Sequence, residues 1–167
     1  MIVPAGLYLQ EKNFMGQVEL ETSKANLIEL LTTLKNSPYG YEVLMDLTGV
    51  DYLEPQVATK VLYFLHNPQT LKRIRVSVTV LRDEPLPSIV NLWPGANWYE
   101  RELYDLYGTT FTDHPDLTRI LMPDDWKGHP LRRDYPLTEE SVAFKHGVKP
   151  KIPSEIIPYV EAPRSTK

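Results

Sequence analysis

The sequence predicts an α+β fold: a two-layer sandwich of a small, mostly antiparallel or mixed sheet with helices on one side, followed by an extended proline-rich C-terminal arm. Three observations predict it. The stretch RIRVSVTVL at 73–81 alternates strictly, Leu27, Leu30, Leu31 and Leu34 follow an i, i+3, i+4, i+7 spacing, and eight of the 15 prolines lie from residue 114 onward. Strict alternation is the mark of a strand with one buried and one wet face. The leucine spacing puts four apolar side chains on one face of a helix. Prolines at that density exclude long helices and central strands from the last third of the chain.

Taken in order, GQVELET at 16–22 reads as a short strand, and Ser23 precedes the leucine-bearing helix, which Pro38 and Gly40 end. YEVLMDLTGVDY at 41–52 and TKVLYFLHN at 59–67 read as strands, followed by the alternating strand at 73–81. Beyond Pro85 and Pro87 a short helix is expected from about Ser88, then a second over NWYERELYDLYG at 97–108. The order β, α, β, β, β, α suits two packed layers. The predicted boundary divides an α+β domain, 1–112, from an extended docking arm, 113–167. The first part of the arm carries Leu117, Ile120, Leu121, Met122, Trp126, Leu131, Tyr135 and Leu137, apolar residues that need a surface to cover. Its last part, 138–167, has too few of them to anchor itself and is expected to be mobile in the isolated protein.

Composition narrows the function. At 167 residues, 42% hydrophobic and 24% charged, the chain fits one modest globular domain. No stretch approaches the roughly 18 consecutive apolar residues of a membrane span, and MIVPAGLYLQ has neither the basic nor the apolar region of a secretory signal. Cysteine is absent, which removes disulfides, thiolate catalysis, cysteine-held iron–sulfur clusters and thiolate zinc sites. A net charge of −4 with no basic run or basic helix face speaks against nucleic acid.

The helix at 97–108 poses the functional question, because Glu100, Arg101, Glu102 and Asp105 sit in a mostly apolar segment. Asn97 is placed as an N-cap with Glu100 completing a capping box, and Gly108 sits where a C-terminal glycine belongs. Arg101 and Asp105 are spaced as an i, i+4 pair, which at a wet surface is worth well under ~1 kcal/mol. His114, Arg119, His129, Arg132 and Arg133 follow directly, and arginine forks match carboxylates. Glu102 and Asp105 can therefore receive an arginine from the arm or from another protein, which favours a docking surface over a solvated face. An enzymatic alternative is a metal-dependent hydrolase, with His114, Asp116, His129 and Asp134 as metal-capable side chains and Glu100, Glu102 and Asp105 as acid and base. Its histidines stand fifteen residues apart in irregular chain, with no HExxH and no glycine-rich phosphate loop.

Residues 87–137 resemble the signature region of the C chain of NADH:quinone oxidoreductase, respiratory complex I. The resemblance rests on Trp93, NW at 97–98, ERE at 100–102, Tyr104, Asp105, Gly108, Phe111, HPDL at 114–117, RILMP at 119–123, Trp126, GHPLR at 128–132 and DYP at 134–136. DLTGVDY at 46–52 extends it to residues 18–137 in outline. Where Thr109, Asp113 and Thr118 stand, the family more often has an aliphatic residue, glycine, and arginine or lysine. Related chains also serve membrane-bound hydrogenases and complexes with other electron donors. The resemblance implies a chain that holds no cofactor, with FMN, iron–sulfur clusters and quinone on other subunits. It implies a peripheral-arm position on the cytoplasmic side of the membrane, against the D-type and B-type subunits, with the I-type as a further candidate neighbour. Glu100, Arg101, Glu102, Asp105, His114, Pro115, Arg119, His129, Arg132, Arg133 and Asp134 would then be interface and structural residues, with no catalytic, cofactor or metal ligand in the chain itself.

Overall fold

The computed structural model of the chain describes residues 3–4, 6–123 and 125–136. Five strands form one sheet: β1 (Gln10–Phe14), β2 (Gln17–Thr22), β3 (Val43–Tyr52), β4 (Ala58–His66) and β5 (Arg73–Leu81). Their order is β1-β2-β5-β4-β3. All neighbours are antiparallel except β2 and β5, which run parallel with Val18 opposite Ile74. A single 3₁₀ turn leads from β2 into α1 (Leu27–Lys35), and α2 (Ala96–Tyr107) follows the sheet. The fold is the expected α+β sandwich.

The periodicities work as elementary packing requires. Leu27, Leu30, Leu31 and Leu34 are all buried, and they share one core with Leu20, Val61, Tyr63, Leu65, Ile74, Val76, Val78 and Val80. Leu103 of α2 belongs to that core as well, so both helices lie on one side of the sheet. At Gly49 on β3 an added Cβ would stand 2.7 Å from Leu103 Cδ2; the missing side chain is what lets α2 settle on the strand. Ser77 breaks the alternation on β5, being buried on the outer face, where its hydroxyl donates to Glu19 Oε1 at 2.8 Å.

Three local features depart from the sequence reading. First, β1 is an additional strand, joined to β2 by Met15 and Gly16, whose φ values of 50° and 80° are those of a two-residue hairpin turn. Second, the short helix expected from Ser88 does not form. Leu86–Pro87 instead makes β6, pairing in parallel with β7 (Phe111–Thr112), and the Ser88 N–H donates to Thr112 O at 2.9 Å. Turns follow instead of a helix: Ile89 O accepts the N–H groups of Leu92 and Trp93, both at 2.9 Å, and Trp93 O accepts that of Ala96 at 2.9 Å. Third, the compact unit that holds the sheet and both helices runs on through Tyr135. The boundary expected at 112 thus falls inside that unit, because residues 113–135 are tied to α2 and β3 by the bonds described next. The expectation of a mobile 138–167 concerns residues outside those described.

Candidate docking site on the second helix and the arm

Helix α2 begins at Ala96 with Gly95 in the cap position and no side-chain cap. Asn97 is therefore inside the first turn, and the capping box expected of Asn97 and Glu100 is not made. The reason is that Glu100 has a distant partner. It is fully buried, with Oε1 accepting the Ile89 N–H at 2.7 Å and Oε2 bonded to the Ser88 hydroxyl at 2.7 Å. Burial drives its carboxyl upward, the two hydrogen bonds pull it back only in part, and it rests at about 7. His114 Nε2 stands 3.8 Å from Glu100 Oε2, with both side chains shut away from solvent. The Asp116 N–H donates to His114 Nδ1 at 3.1 Å, so in the neutral ring the proton sits on Nε2, facing Glu100. Tyr63, buried nearby in the core, is shifted upward by burial and by the charge of Glu100.

Asp105 lies five residues further along the same helix, and it too is fully buried. Its Oδ1 accepts Arg119 Nη1 at 2.8 Å. Its Oδ2 accepts three consecutive backbone N–H groups, from Ile120 at 3.0 Å, Leu121 at 2.7 Å and Met122 at 2.8 Å. Burial alone would raise this carboxyl, but the three amides and the guanidinium outweigh it and hold it below its ordinary value. One carboxylate thus fixes four successive residues of the arm.

The last carbonyls of a helix have no intrahelical donors, and here the arm supplies them. His129 Nδ1 bonds Asp105 O at 2.9 Å, the Leu131 N–H bonds Leu106 O at 3.0 Å, and Arg132 Nε bonds Tyr107 O at 2.6 Å. A carbonyl only accepts, so His129 carries its proton on Nδ1, and burial lowers the ring's proton affinity. The positive Arg132 also suits the negative end of the helix dipole. Gly108, at φ 74°, turns the chain away. A second tie holds the arm's end. Arg82 Nη2 donates to both oxygens of Asp51 at 3.0 and 2.9 Å, its Nη1 reaches Asp134, and the Arg133 N–H donates to Asp51 Oδ2 at 2.9 Å.

The sequence-predicted residues therefore divide. Asp105 receives an arginine from the arm, as expected of it, and that arginine is Arg119. The i, i+4 pair of Arg101 with Asp105 does not form: Arg101 donates to Thr118 O at 3.1 Å and lies over the Trp98 ring at 5.1 Å. Glu102 is exposed and has no ion pair among the described residues. Pro115, Arg133 and Asp134 are exposed. His114 faces the Glu100 carboxylate and His129 the backbone carbonyl of Asp105, and among the described residues no group of three or more His, Asp or Glu is placed to hold a metal. Asp51 and Arg82 were missed; their only signal was an aspartate and an arginine at the ends of predicted strands, which says nothing about a partner 31 residues away.

A family model described as respiratory-chain NADH dehydrogenase, 30 Kd subunit, matches residues 20–141. The chain is 46% identical over 124 residues to the C-type subunit of the NADH-quinone oxidoreductase of Sinorhizobium medicae (strain WSM419), an alignment covering 74% of this chain and 62% of that protein. The chain thus spans less than two thirds of that relative's length. It is 42% identical over 138 residues to the protein of the same name in Roseiflexus castenholzii (strain DSM 13941 / HLO8), covering 81% and 79%. A chain in the solved structure of the membrane-bound sulfane sulfur reductase, an archaeal respiratory membrane complex, superposes with a TM-score of 0.73 at 20% identity, covering 93% of this chain and 92% of that one. That likeness establishes the fold.

Proposed function

From the premise that the chain belongs to the family of the respiratory-chain NADH dehydrogenase 30 Kd subunit, we propose that it is a structural subunit of the peripheral arm of a proton-translocating NADH:quinone oxidoreductase. In this reading it binds no cofactor and docks on the D-type subunit, close to the quinone site that the D-type and B-type subunits form. Electron transfer and proton translocation belong to the assembled complex, on the cytoplasmic side of the membrane. Among the described residues no helix is long and apolar enough to cross a membrane, so the chain would be held there by its partners.

The observation that carries this reading is the rigidity of the arm on α2. Asp105 fixes residues 119–122 and Asp51, with Arg82, fixes residues 133–134 from within, while Trp98 at 62%, Leu121 at 54% and Leu131 at 49% exposure are left facing outward. A preorganised surface with aromatic and aliphatic anchors loses little entropy when a partner covers it. The test is an affinity pull-down of the intact chain from solubilised membranes with identification of every co-purifying protein. The D-type and B-type subunits are the expected result. Recovery with hydrogenase subunits would move the chain to a different donor complex, and recovery alone would overturn the reading.

A further inference from the structure

The face of the sheet turned away from both helices carries a groove of 390 Å³, lined by residues of β1, β2, β3, β4 and β5. One cross-strand row runs through it, Lys12 beside Glu19, Glu19 beside Arg75, Arg75 beside Phe64, and Phe64 beside Asp46. Its carboxylate Glu19 is already committed. Lys60 Nζ lies at 2.8 Å, the Ser77 hydroxyl at 2.8 Å, and Arg75 closes the other oxygen. Burial would raise Glu19, but these donors hold it down at about 2. Lys12 is taken by Glu21 at 3.2 Å. Arg73, one rung along, is exposed and has no ion pair among the described residues. Of the charged lining residues, three are cations and two are carboxylates, and Lys60 reinforces the positive side by spending itself on Glu19.

The apolar part of the groove is equally unspent. Phe14 is 74% exposed and Met45 at the β3 bulge is 41% exposed, and Met15, outside the lining at the neighbouring hairpin tip, is 90% exposed. Hairpin tips favour glycine, asparagine and aspartate, which tolerate positive φ and water alike. A methionine held there at φ 50°, next to an exposed phenylalanine, satisfies neither preference. An aromatic and a thioether side chain framing a groove have the composition of an interface core; Arg73 at one side has no ion pair among the described residues, and Asp46 at the other accepts the Leu47 N–H at 2.8 Å.

We propose that this groove is a second docking surface, occupied by an acidic–apolar peptide segment of a neighbouring subunit. An aliphatic or aromatic side chain of that segment enters between Phe14 and Met45, and an adjacent carboxylate pairs with Arg73. The proposal rests on the reading of the chain as an assembly subunit and extends it: α2 and the arm serve one partner surface, and the opposite face of the sheet serves another. A lipid surface fits less well, since the charge excess is small and lies within a groove rather than along a basic stripe.

The test places a photo-crosslinking phenylalanine analogue at position 14 of the full chain within the assembled complex, alongside Arg73→Glu and Arg73→Lys. Both positions are exposed, so the purified variants are first required to melt like the wild type. The expected adduct is on another subunit, on a peptide carrying an aspartate or glutamate beside an apolar residue. Arg73→Glu is expected to reduce the recovery of that subunit at least five-fold, with Arg73→Lys close to wild type. An adduct on a second copy of the chain, on its own residues 137–167 or on lipid, or full recovery with Arg73→Glu, overturns the proposal while leaving the assembly reading intact. A wild-type chain that recovers no other subunit overturns both.

Discussion

Glu100 and Asp105 lie on the same helix, both sealed from water, yet their environments push them in opposite directions. Asp105 has four donors, one of them a guanidinium, and stays ionised; Glu100 has two neutral donors and rests at about 7. Burial opposes charge at both sites and weighs more heavily on Glu100, while Asp105 has more donors and one of them is charged. The consequence is a division of labour. Asp105 is an ionic tie that gathers the arm, whereas Glu100 is a hydrogen-bonding post between α2 and the turn at Ser88 and Ile89 that exchanges its proton near neutral pH.

The sharpest way to break the comparison is Asp105→Ala. It strips the carboxylate from Arg119 and orphans the N–H groups of Ile120, Leu121 and Met122 together. Removing one partner of a buried charged pair costs on the order of 3–5 kcal/mol. Urea unfolding of the purified chain should show a loss of that size, and limited proteolysis should open new cuts within 114–135 that the wild type resists. An unchanged midpoint with an intact arm would mean that Asp51 and the helix-end contacts suffice to hold it.

Second in size is a pH effect that sharpens the contrast. The folded Glu100 binds its proton more tightly than an unfolded glutamate at about 4.5. Its contribution to stability is therefore fully present below 4.5 and is lost as pH rises through about 7, by on the order of 3 kcal/mol. Asp105 has the opposite sign: its proton affinity falls on folding, so its contribution is present above about 3.8 and is lost as pH drops through its lower folded value. Glu100→Gln mimics the protonated acid, with its carbonyl accepting from Ile89 and its amide donating to Ser88. It should match the wild type near pH 4.5 and exceed it above pH 7, by thermal unfolding at each pH. A variant less stable than wild type at high pH would mean that Glu100 functions ionised.

Third is Gly108→Ala. A Cβ at φ 74° is sterically opposed, and here it would also stand 2.6 Å from His129 Cδ2 and against the Arg132 guanidinium. A loss of about 2 kcal/mol is expected, from the left-handed backbone and from displacing the groups that cap α2. If the substitution is tolerated, His129 and Arg132 rest on the helix end without supporting it.

How far the sequence could foresee these sites follows from how local their causes are. The four leucines of α1 and the valines of β5 announce their burial through period alone, and Gly108 announces the helix end. Asp105 was legible as an acceptor for an arginine because an arginine-rich segment follows within fourteen residues. Glu100 was misassigned because a local rule offered it a local task, whereas Ser88 and Ile89 claim it from across a turn. The hairpin of β1 was invisible for a related reason: its tip is Met-Gly rather than Asn-Gly, so the usual turn signal is absent. Asp51 and Arg82 depend on strand register, which no short window contains.

The smallest expected effects belong to the two charges of α2 that remain outside. Arg101 holds Thr118 O at 3.1 Å and covers Trp98, contacts made at the surface and worth about 0.5–1 kcal/mol together. Glu102, exposed and without an ion pair among the described residues, should cost the isolated chain less than about 0.5 kcal/mol on replacement by alanine. That near-silence makes Glu102→Ala the most discriminating variant for the docking role of α2. With the fold untouched, any fall in the amount of assembled complex reports on contact with a partner. Assembly and quinone reductase activity are expected to fall together, with turnover per assembled complex unchanged. Full assembly with slowed turnover would place Glu102 in electron or proton transfer, and full assembly with normal turnover would leave the exposed edge of α2 free of any partner.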